Sequence, residues 1–331
     1  REFSCYNLDE ISKWKRMTEL ESRELYIEIA HLYYSMNKTQ DEIAKKLGLT
    51  RQKVNKIIGE LRELGVVTIK VNGFENTSVE LSSFLEERFN LKQVIVADTY
   101  GEPNYLPMLA ETAANYLERI IRQKMLIGVS WGITLAETVK RMKYMQKTEC
   151  QVIQMCGAQN IDLDMLKSDE IARALADKLD CVCQILYSPV ILSQPEVKTL
   201  LMREPVVKNS FESMKHCDMA IFGVGQLNAR STLVQRKLLS EKDIATLRND
   251  GYIGDICVNP VTIDGEWKNC ALRKRVVGAN MDILKNIPNV VAIAGGVDKA
   301  NAIIGCLNSG VVNTLVIDDR TAEKIVEKLD L

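Results

Sequence analysis

From residue 93 onward the sequence repeats one pattern: a short, nearly unbroken apolar run rich in Val and Ile, then a longer amphipathic stretch. The runs are QVIVAD, MLIGVS, CQVIQMCG, CVCQILYS, MAIFGVG, NVVAIAGG and TLVIDD. A strand that is apolar at nearly every position, instead of every second one, needs cover on both faces. Such strands, separated by helical stretches, specify a mostly parallel sheet between helical layers. Helices are expected from about Leu106 to Ile121 and through LAETVKRM. The expected architecture is α/β and Rossmann-like.

The first seventy residues lack these runs and read as helical. Leu25, Ile29 and Leu32 recur at near-helical spacing in a first segment, roughly Leu20 to Tyr34. A second segment opens at Thr39, whose hydroxyl can accept an orphan amide hydrogen bond, with Glu42 in capping-box position. Ile43, Ala44 and Leu47 give it an apolar face, and Gly48 supplies the left-handed stop. A third segment is capped by Thr50 and runs toward Leu64, with Val54, Ile57, Ile58 and Leu61 inward. Its outer face then carries Arg51, Gln52, Lys53, Asn55 and Lys56. Arg can grip guanine, Gln and Asn can pair with adenine, and Lys can neutralise phosphate. The pattern is a helix-turn-helix whose DNA-facing set is completed by Thr50 and by Thr39 and Gln40 on the preceding helix. The competing reading is a helical docking domain whose charges merely face water. After Gly65, VVTIKV is either a minimal wing or the lead-in to the next domain.

At 331 residues the chain suits two domains better than one. Residues 1–17 form a candidate flexible arm, 18–71 the helix-turn-helix domain and 72–79 a polar, glycine-containing linker. Residues 80–331 form an effector-binding and oligomerisation domain. A formal net charge of -1 excludes a broadly cationic surface, so nucleic-acid contact must be local. Between Lys38 and Lys70 eight basic residues face four acidic ones, a balance of +4. No run of 18 apolar residues argues for a membrane span, and the opening residues do not read as a signal peptide. The nine cysteines are odd in number and scattered, and the two histidines, His31 and His216, lie far in sequence from the Cys181/Cys183 pair. Reduced cytoplasmic thiols, and no metal site, are the expectation.

Ligands of parallel sheets lie beyond the carboxyl ends of the strands. Four segments have suitable chemistry there. GVSWGIT offers Gly128 and Gly132 for close backbone approach, Ser130 and Thr134 as hydroxyls, and a helix start that attracts phosphate. GAQN offers Gln159 and Asn160, GVGQ offers Gly225 and Gln226, and AGGVDKA offers Lys299. None has Walker spacing, and Gly223 and Gly225 lack the third glycine of a dinucleotide fingerprint. Each glycine alone reads as a turn; their convergence on one sheet edge points to a phosphate or polyol pocket. Asp255, in GYIGDICVNPVTIDG, either accepts two sugar hydroxyls or caps its loop. Lys299 either neutralises phosphate or faces solvent.

In order along the chain, TQDEIAKKLGLTRQKVNKIIGELRELGVVTIKV, IGVSWGITLAETV, VIQMCGA, ILYSPV, DMAIFGVGQ, GYIGDICVNPVTIDG and VVAIAGGVDKANAIIGCLNSGVVNTLVIDD resemble the SorC/DeoR-type bacterial sugar-binding transcriptional regulators. The resemblance covers nearly everything after Leu20. It implies a sugar-phosphate-isomerase-like effector domain and DNA contacts from Thr50 to Lys56. It also implies an effector pocket involving Ser130, Gly132, Thr134, Gln159, Gly225, Asp255 and Lys299. A sugar or sugar phosphate would act as allosteric effector, with no cofactor and no catalytic residue. Implied partners are double-stranded operator DNA and further copies of the chain in a homodimer or homotetramer, with RNA polymerase as another candidate. The sequence departs from some relatives in having Trp131 where they carry more consecutive hydroxyl residues. Trp131 can stack on a ligand, narrow the pocket or pack in the core. Two other functions compete: a sugar-phosphate isomerase-like enzyme with an added DNA-binding module, and a non-catalytic protein adaptor. The enzyme reading lacks an acid/base pair, since both histidines fall outside the pocket motifs.

Overall fold

The computed structural model describes residues 20–67, 78–158 and 168–329. The proposed arm, residues 72–77 of the linker, the wing segment beyond Val67, and Gln159 and Asn160 lie outside the described residues. Contacts divide the chain into two units, Arg1–Gly73 and Phe74–Leu331.

In the first unit, α1 spans Leu20–Ala30 and continues into a π-type turn, His31–Ser35; α2 spans Gln40–Leu47 and α3 Arg51–Glu63. The capping box expected at α2 is present: the Glu42 amide donates to Thr39 Oγ1 at 3.3 Å, and the Thr39 amide donates to Glu42 Oε2 at 2.8 Å. Gly48 ends α2 with φ +65°, and nothing lies near where its Cβ would be, so glycine is needed for conformation and not for space. The Lys53 amide donates to Thr50 Oγ1 at 3.2 Å, capping α3. Ile29, Leu32, Ile43, Val54, Ile57 and Leu61 form the core of this unit, and Ile58 packs at its margin, half-buried.

The second unit opens with α4 (Ser78–Phe89), β1 (Gln93–Ala97), α5 (Leu106–Ile120), β2 (Leu126–Val129), α6 (Ile133–Arg141) and β3 (Gln151–Gln154). Then come α7 (Ser168–Leu179), β4 (Val182–Gln184), α8 (Pro195–Leu201), α9 (Pro205–Lys215) and β5 (Met219–Gln226). After α10 (Thr232–Gln235) and α11 (Glu241–Asn249), β6 (Tyr252–Ile256) and β7 (Asn259–Thr262) form a hairpin. The chain closes through α12 (Met281–Lys285), β8 (Asn289–Ala294), a 3₁₀ turn at Val297–Lys299, α13 (Ala300–Asn308), β9 (Thr314–Asp318) and α14 (Asp319–Leu329).

Seven strands run parallel in the order β1-β9-β8-β5-β2-β3-β4. Their continuous apolar character is explained by alternation into two cores. Val290, Ala292 and Ala294 of β8 enter one, while Val291 and Ile293 enter the other; Ala220 and Phe222 of β5 likewise oppose Met219 and Ile221. Successive strands β2, β3 and β4 are laid toward one edge before the chain returns to place β5 beside β2. The reversal opens a crevice beyond the carboxyl ends of β2 and β5, the position where open α/β sheets bind ligands.

The stretch around Asp255, read from the sequence as a loop after a glycine turn, is instead this antiparallel hairpin. β5 outruns its parallel neighbours, and Val224, Gly225 and Gln226 pair with Ile256, Asp255 and Gly254 of β6. The hairpin turns at Cys257 and Val258, both with positive φ (49° and 61°). A two-residue turn with both φ positive normally takes Asn-Gly. Here a β-branched residue is held in a left-handed conformation, and buried polar groups hold it: Val258 donates its amide to Asp255 Oδ2 at 3.0 Å, and Asn259 Nδ2 donates to the Ile256, Cys257 and Ala279 carbonyls at 2.9, 3.1 and 2.9 Å.

Candidate functional site

On α3, Arg51, Gln52, Lys53, Asn55 and Lys56 are exposed, because Val54 and Ile57 face the core between them. The exposed face is not idle in the isolated chain. Gln40 Nε2 donates to Asn55 Oδ1 at 3.0 Å, Arg51 faces Asp41 at 3.5 Å, and Lys56 faces Glu60 at 3.8 Å. These are solvent-exposed pairs, each worth well under about 1 kcal/mol, so phosphate or a base edge can displace them cheaply. Thr39 and Thr50 are exposed but engaged as helix caps, and both border the same surface.

In the larger unit a cavity lies at the β2/β5 reversal. Ser130, Trp131, Gly132 and Thr134 line it from the end of β2, Gly225 and Gln226 from β5, Asp255 and Cys257 from the hairpin, and Lys299 from the 3₁₀ turn. Four segments far apart in sequence thus meet at one place. Gly132 is the N-cap of α6, with φ +137° and no side-chain cap, so the first amides of α6 are left for another acceptor. Gly225 is required by close approach: a Cβ there would lie 1.9 Å from Asp255 Oδ1. Asp255 is buried, and desolvation raises its carboxyl to about 6, against the pull of the Val258 amide and Lys299. Lys299 is itself pushed down by burial, opposed by Asp298 and Asp255. Gln226 does not point freely into the cavity, since its Nε2 donates to the Asp298 carbonyl at 2.9 Å and ties β5 to the Lys299 turn.

Three expectations change in detail. Gly128 lies within β2 and does not line the cavity; a Cβ there would meet Met155 Sδ at 2.3 Å, so it is a packing glycine. Ser130 is almost wholly buried at the cavity wall, where its hydroxyl bonds the Cys156 and Cys257 thiols and burial pushes the Cys156 thiol up to about 12. Trp131 both lines the cavity and packs in the core, with the Arg236 guanidinium 5.0 Å from its ring centroid. Sequence reasoning missed Ser231, Thr232 and Leu233, which line the cavity from the start of α10, and Cys257. The Ser231 hydroxyl, which accepts from the Val234 amide, was a legible helix-cap signal; the Trp131–Arg236 stack, joined across a hundred residues, left none. Among the described residues no group of three or more Cys, His, Asp or Glu is placed to hold a metal ion, and no helix is long and apolar enough to cross a membrane.

Comparison with known proteins agrees with this division. A winged helix-turn-helix DNA-binding model matches residues 37–68, and a family model described as "Putative sugar-binding domain" matches residues 75–327. The deoxyribonucleoside regulator of Bacillus subtilis (strain 168) is 27% identical, over 93% of this chain and 99% of its own length. The sorbitol operon regulator of Klebsiella pneumoniae is 25% identical, over 92% and 98%. A DeoR family transcriptional regulator from Listeria monocytogenes matches with a TM-score of 0.70 and 32% identity, over 75% of this chain and 99% of that one. The full-length SorC structure from Klebsiella pneumoniae, at 24% identity, shares the fold with a TM-score of 0.71 over 92% of this chain and 98% of its own. Taken with the helix-turn-helix and the crevice cavity, these matches establish that the chain belongs to the SorC/DeoR-type family of sugar-binding, DNA-binding transcriptional regulators.

Proposed function

We propose that this regulator controls a carbohydrate-related operon through a sugar phosphate held in the β2/β5 cavity. The observation that carries the reading is the meeting of opposite chemistries in one small space. The open start of α6, the Ser231 and Thr232 end of α10 and Lys299 favour an anion, while Asp255 favours hydroxyl groups. A phosphate bonded to a polyol satisfies both. Gly132, Thr134 and Lys299 hold the phosphate, Asp255 takes sugar hydroxyls opposite Gly225, and Trp131 closes one side. Two relatives are named for deoxyribonucleosides and for a sorbitol operon, which supports the carbohydrate class.

The cavity measures about 90 Å3, below the roughly 300–1,000 Å3 of ordinary small-molecule pockets. A sugar phosphate must therefore open it, and the short α10 wall is an element that can give way. Residues 18–71 read the operator, with Arg51, Gln52 and Asn55 at base edges and Lys53 and Lys56 on phosphates. Residues 80–331 bind effector and hold a homodimer or homotetramer, so that opening the cavity changes the spacing of two reading heads on neighbouring half-sites. RNA polymerase is a further partner at the promoter. A thermal-shift screen of paired sugars and sugar phosphates tests the effector assignment: the true ligand at a hundred times its Kd adds about 2.7 kcal/mol to the folded state. Stabilisation that is equal for phosphorylated and unphosphorylated members of each pair would remove the phosphate assignment.

A further inference from the structure

A second cavity, of about 610 Å3, lies among α8, α9 and α12 and shares no lining residue with the effector cavity. Its size falls within the range of small-molecule sites. Met202, Phe211 and Ile283 give it an apolar lining, and Lys198, Lys208 and Lys215 stand around it. The two acids present are already committed: Glu212 pairs with Lys215 at 2.8 Å and Asp282 with Arg273 at 3.7 Å. Lys198 and Lys208 form no ion pair among the described residues. Lys198 is partly buried, donates from Nζ to the Arg273 carbonyl at 2.9 Å, and has its charged form disfavoured by burial and by the Arg273 guanidinium. Three lysines against the two paired acids therefore leave an excess of positive charge around an apolar concavity, with Lys208 also acting on Glu212.

α8 buries none of its residues, and Val197 and Leu200 are exposed on it. A second copy of the chain docked symmetrically here would set lysine rim against lysine rim. The complementary occupant is smaller and opposite in charge. We propose that this cavity is a second ligand site, separate from the effector cavity, that takes an organic anion with a flat apolar body. The apolar part lies against Phe211, Met202 and Ile283, and the acidic group reaches Lys198 and Lys208.

The probe is 8-anilinonaphthalene-1-sulfonate, titrated into the full chain and read by its fluorescence. One saturable site per chain is expected, with affinity that falls as salt is raised. Lys208→Glu, at an exposed position that leaves packing intact, should weaken binding about 3- to 10-fold by reversing one charge at the rim. Met202→Trp should narrow the cavity and weaken the signal. Sugars and sugar phosphates that stabilise the protein should not displace the probe, which separates this site from the proposed effector site. The proposal is overturned by absence of a saturable site or by unchanged affinity in Lys208→Glu. Displacement by a sugar phosphate, or loss of the signal as the chain self-associates through this face, would equally overturn it.

Discussion

Gly225→Ala isolates the contact that shapes the effector cavity. β5 and β6 hold Gly225 and Asp255 as direct cross-strand partners, and a methyl at 225 would sit 1.9 Å from Oδ1 and 2.7 Å from Cγ of the carboxyl group. The carboxyl is buried and anchored by the Val258 amide, so it cannot simply rotate into water. Forcing a methyl into such packing costs about 1–3 kcal/mol. If the carboxyl is expelled, the buried Val258 amide is left unsatisfied, at about 1–3 kcal/mol. By either route Gly225→Ala should destabilise by roughly 1–3 kcal/mol, read by urea unfolding. With Asp255→Ala already in place the obstruction is gone. Gly225 has no left-handed φ, so alanine there should then be neutral, or stabilising by about 0.4–1 kcal/mol through the unfolded chain. The same substitution changes sign with its neighbour. Additivity of the two substitutions within about 0.5 kcal/mol would show that the close approach is not what glycine serves at this position.

Asp255 also predicts a pH dependence. Its carboxyl is raised from 3.8 to about 6 in the fold, chiefly by burial, so the unfolded chain gives up its proton first. Its contribution is complete below pH about 4 and is lost as pH rises through about 6, costing the folded state about 3 kcal/mol at neutral pH; the stability difference between wild type and Asp255→Asn should follow that slope, and a flat difference from pH 4 to 8 would contradict it. Lys299→Ala should weaken a phosphorylated effector more than its unphosphorylated counterpart in paired calorimetric titrations, whereas equal losses would remove Lys299 from the phosphate. On α3, Arg51→Ala or Gln52→Ala should cost about 1–3 kcal/mol at one operator position, while Lys53→Ala or Lys56→Ala should weaken all sequences and reduce the salt slope by about 1. Operator binding unchanged in all four would displace the recognition surface.

Much of the fold is legible because its signals are local. The inner parallel strands are apolar on both faces, and the Thr39–Glu42 box and Gly48 mark the ends of α2 within a few residues. The β6–β7 hairpin escaped because its turn residues, Cys257 and Val258, carry no turn chemistry; side chains on either side, Asp255 and Asn259, supply it. Gly128 and Gly132 are four apart in one motif, yet one makes room for Met155 and the other opens a helix start, a difference fixed only by the neighbouring strand. The positions of Ser130 and Lys299 at the crevice follow from the strand-end rule, whereas Asp255 reaches it from the antiparallel hairpin. The wall at Ser231 and the Arg236–Trp131 stack belong to a connection without periodic pattern, and only tertiary packing brings them to the cavity.

Every functional step rests on coupling between the β2/β5 cavity and the α3 surface. The direct measurement is the affinity of the full chain for its operator DNA, at fixed salt, with and without the sugar phosphate that stabilises it in the thermal screen. A change of about 5- to 150-fold is expected for a coupling of 1–3 kcal/mol, abolished in Lys299→Ala at the same ligand concentration. Identical operator affinity with the cavity empty and saturated would contradict the account.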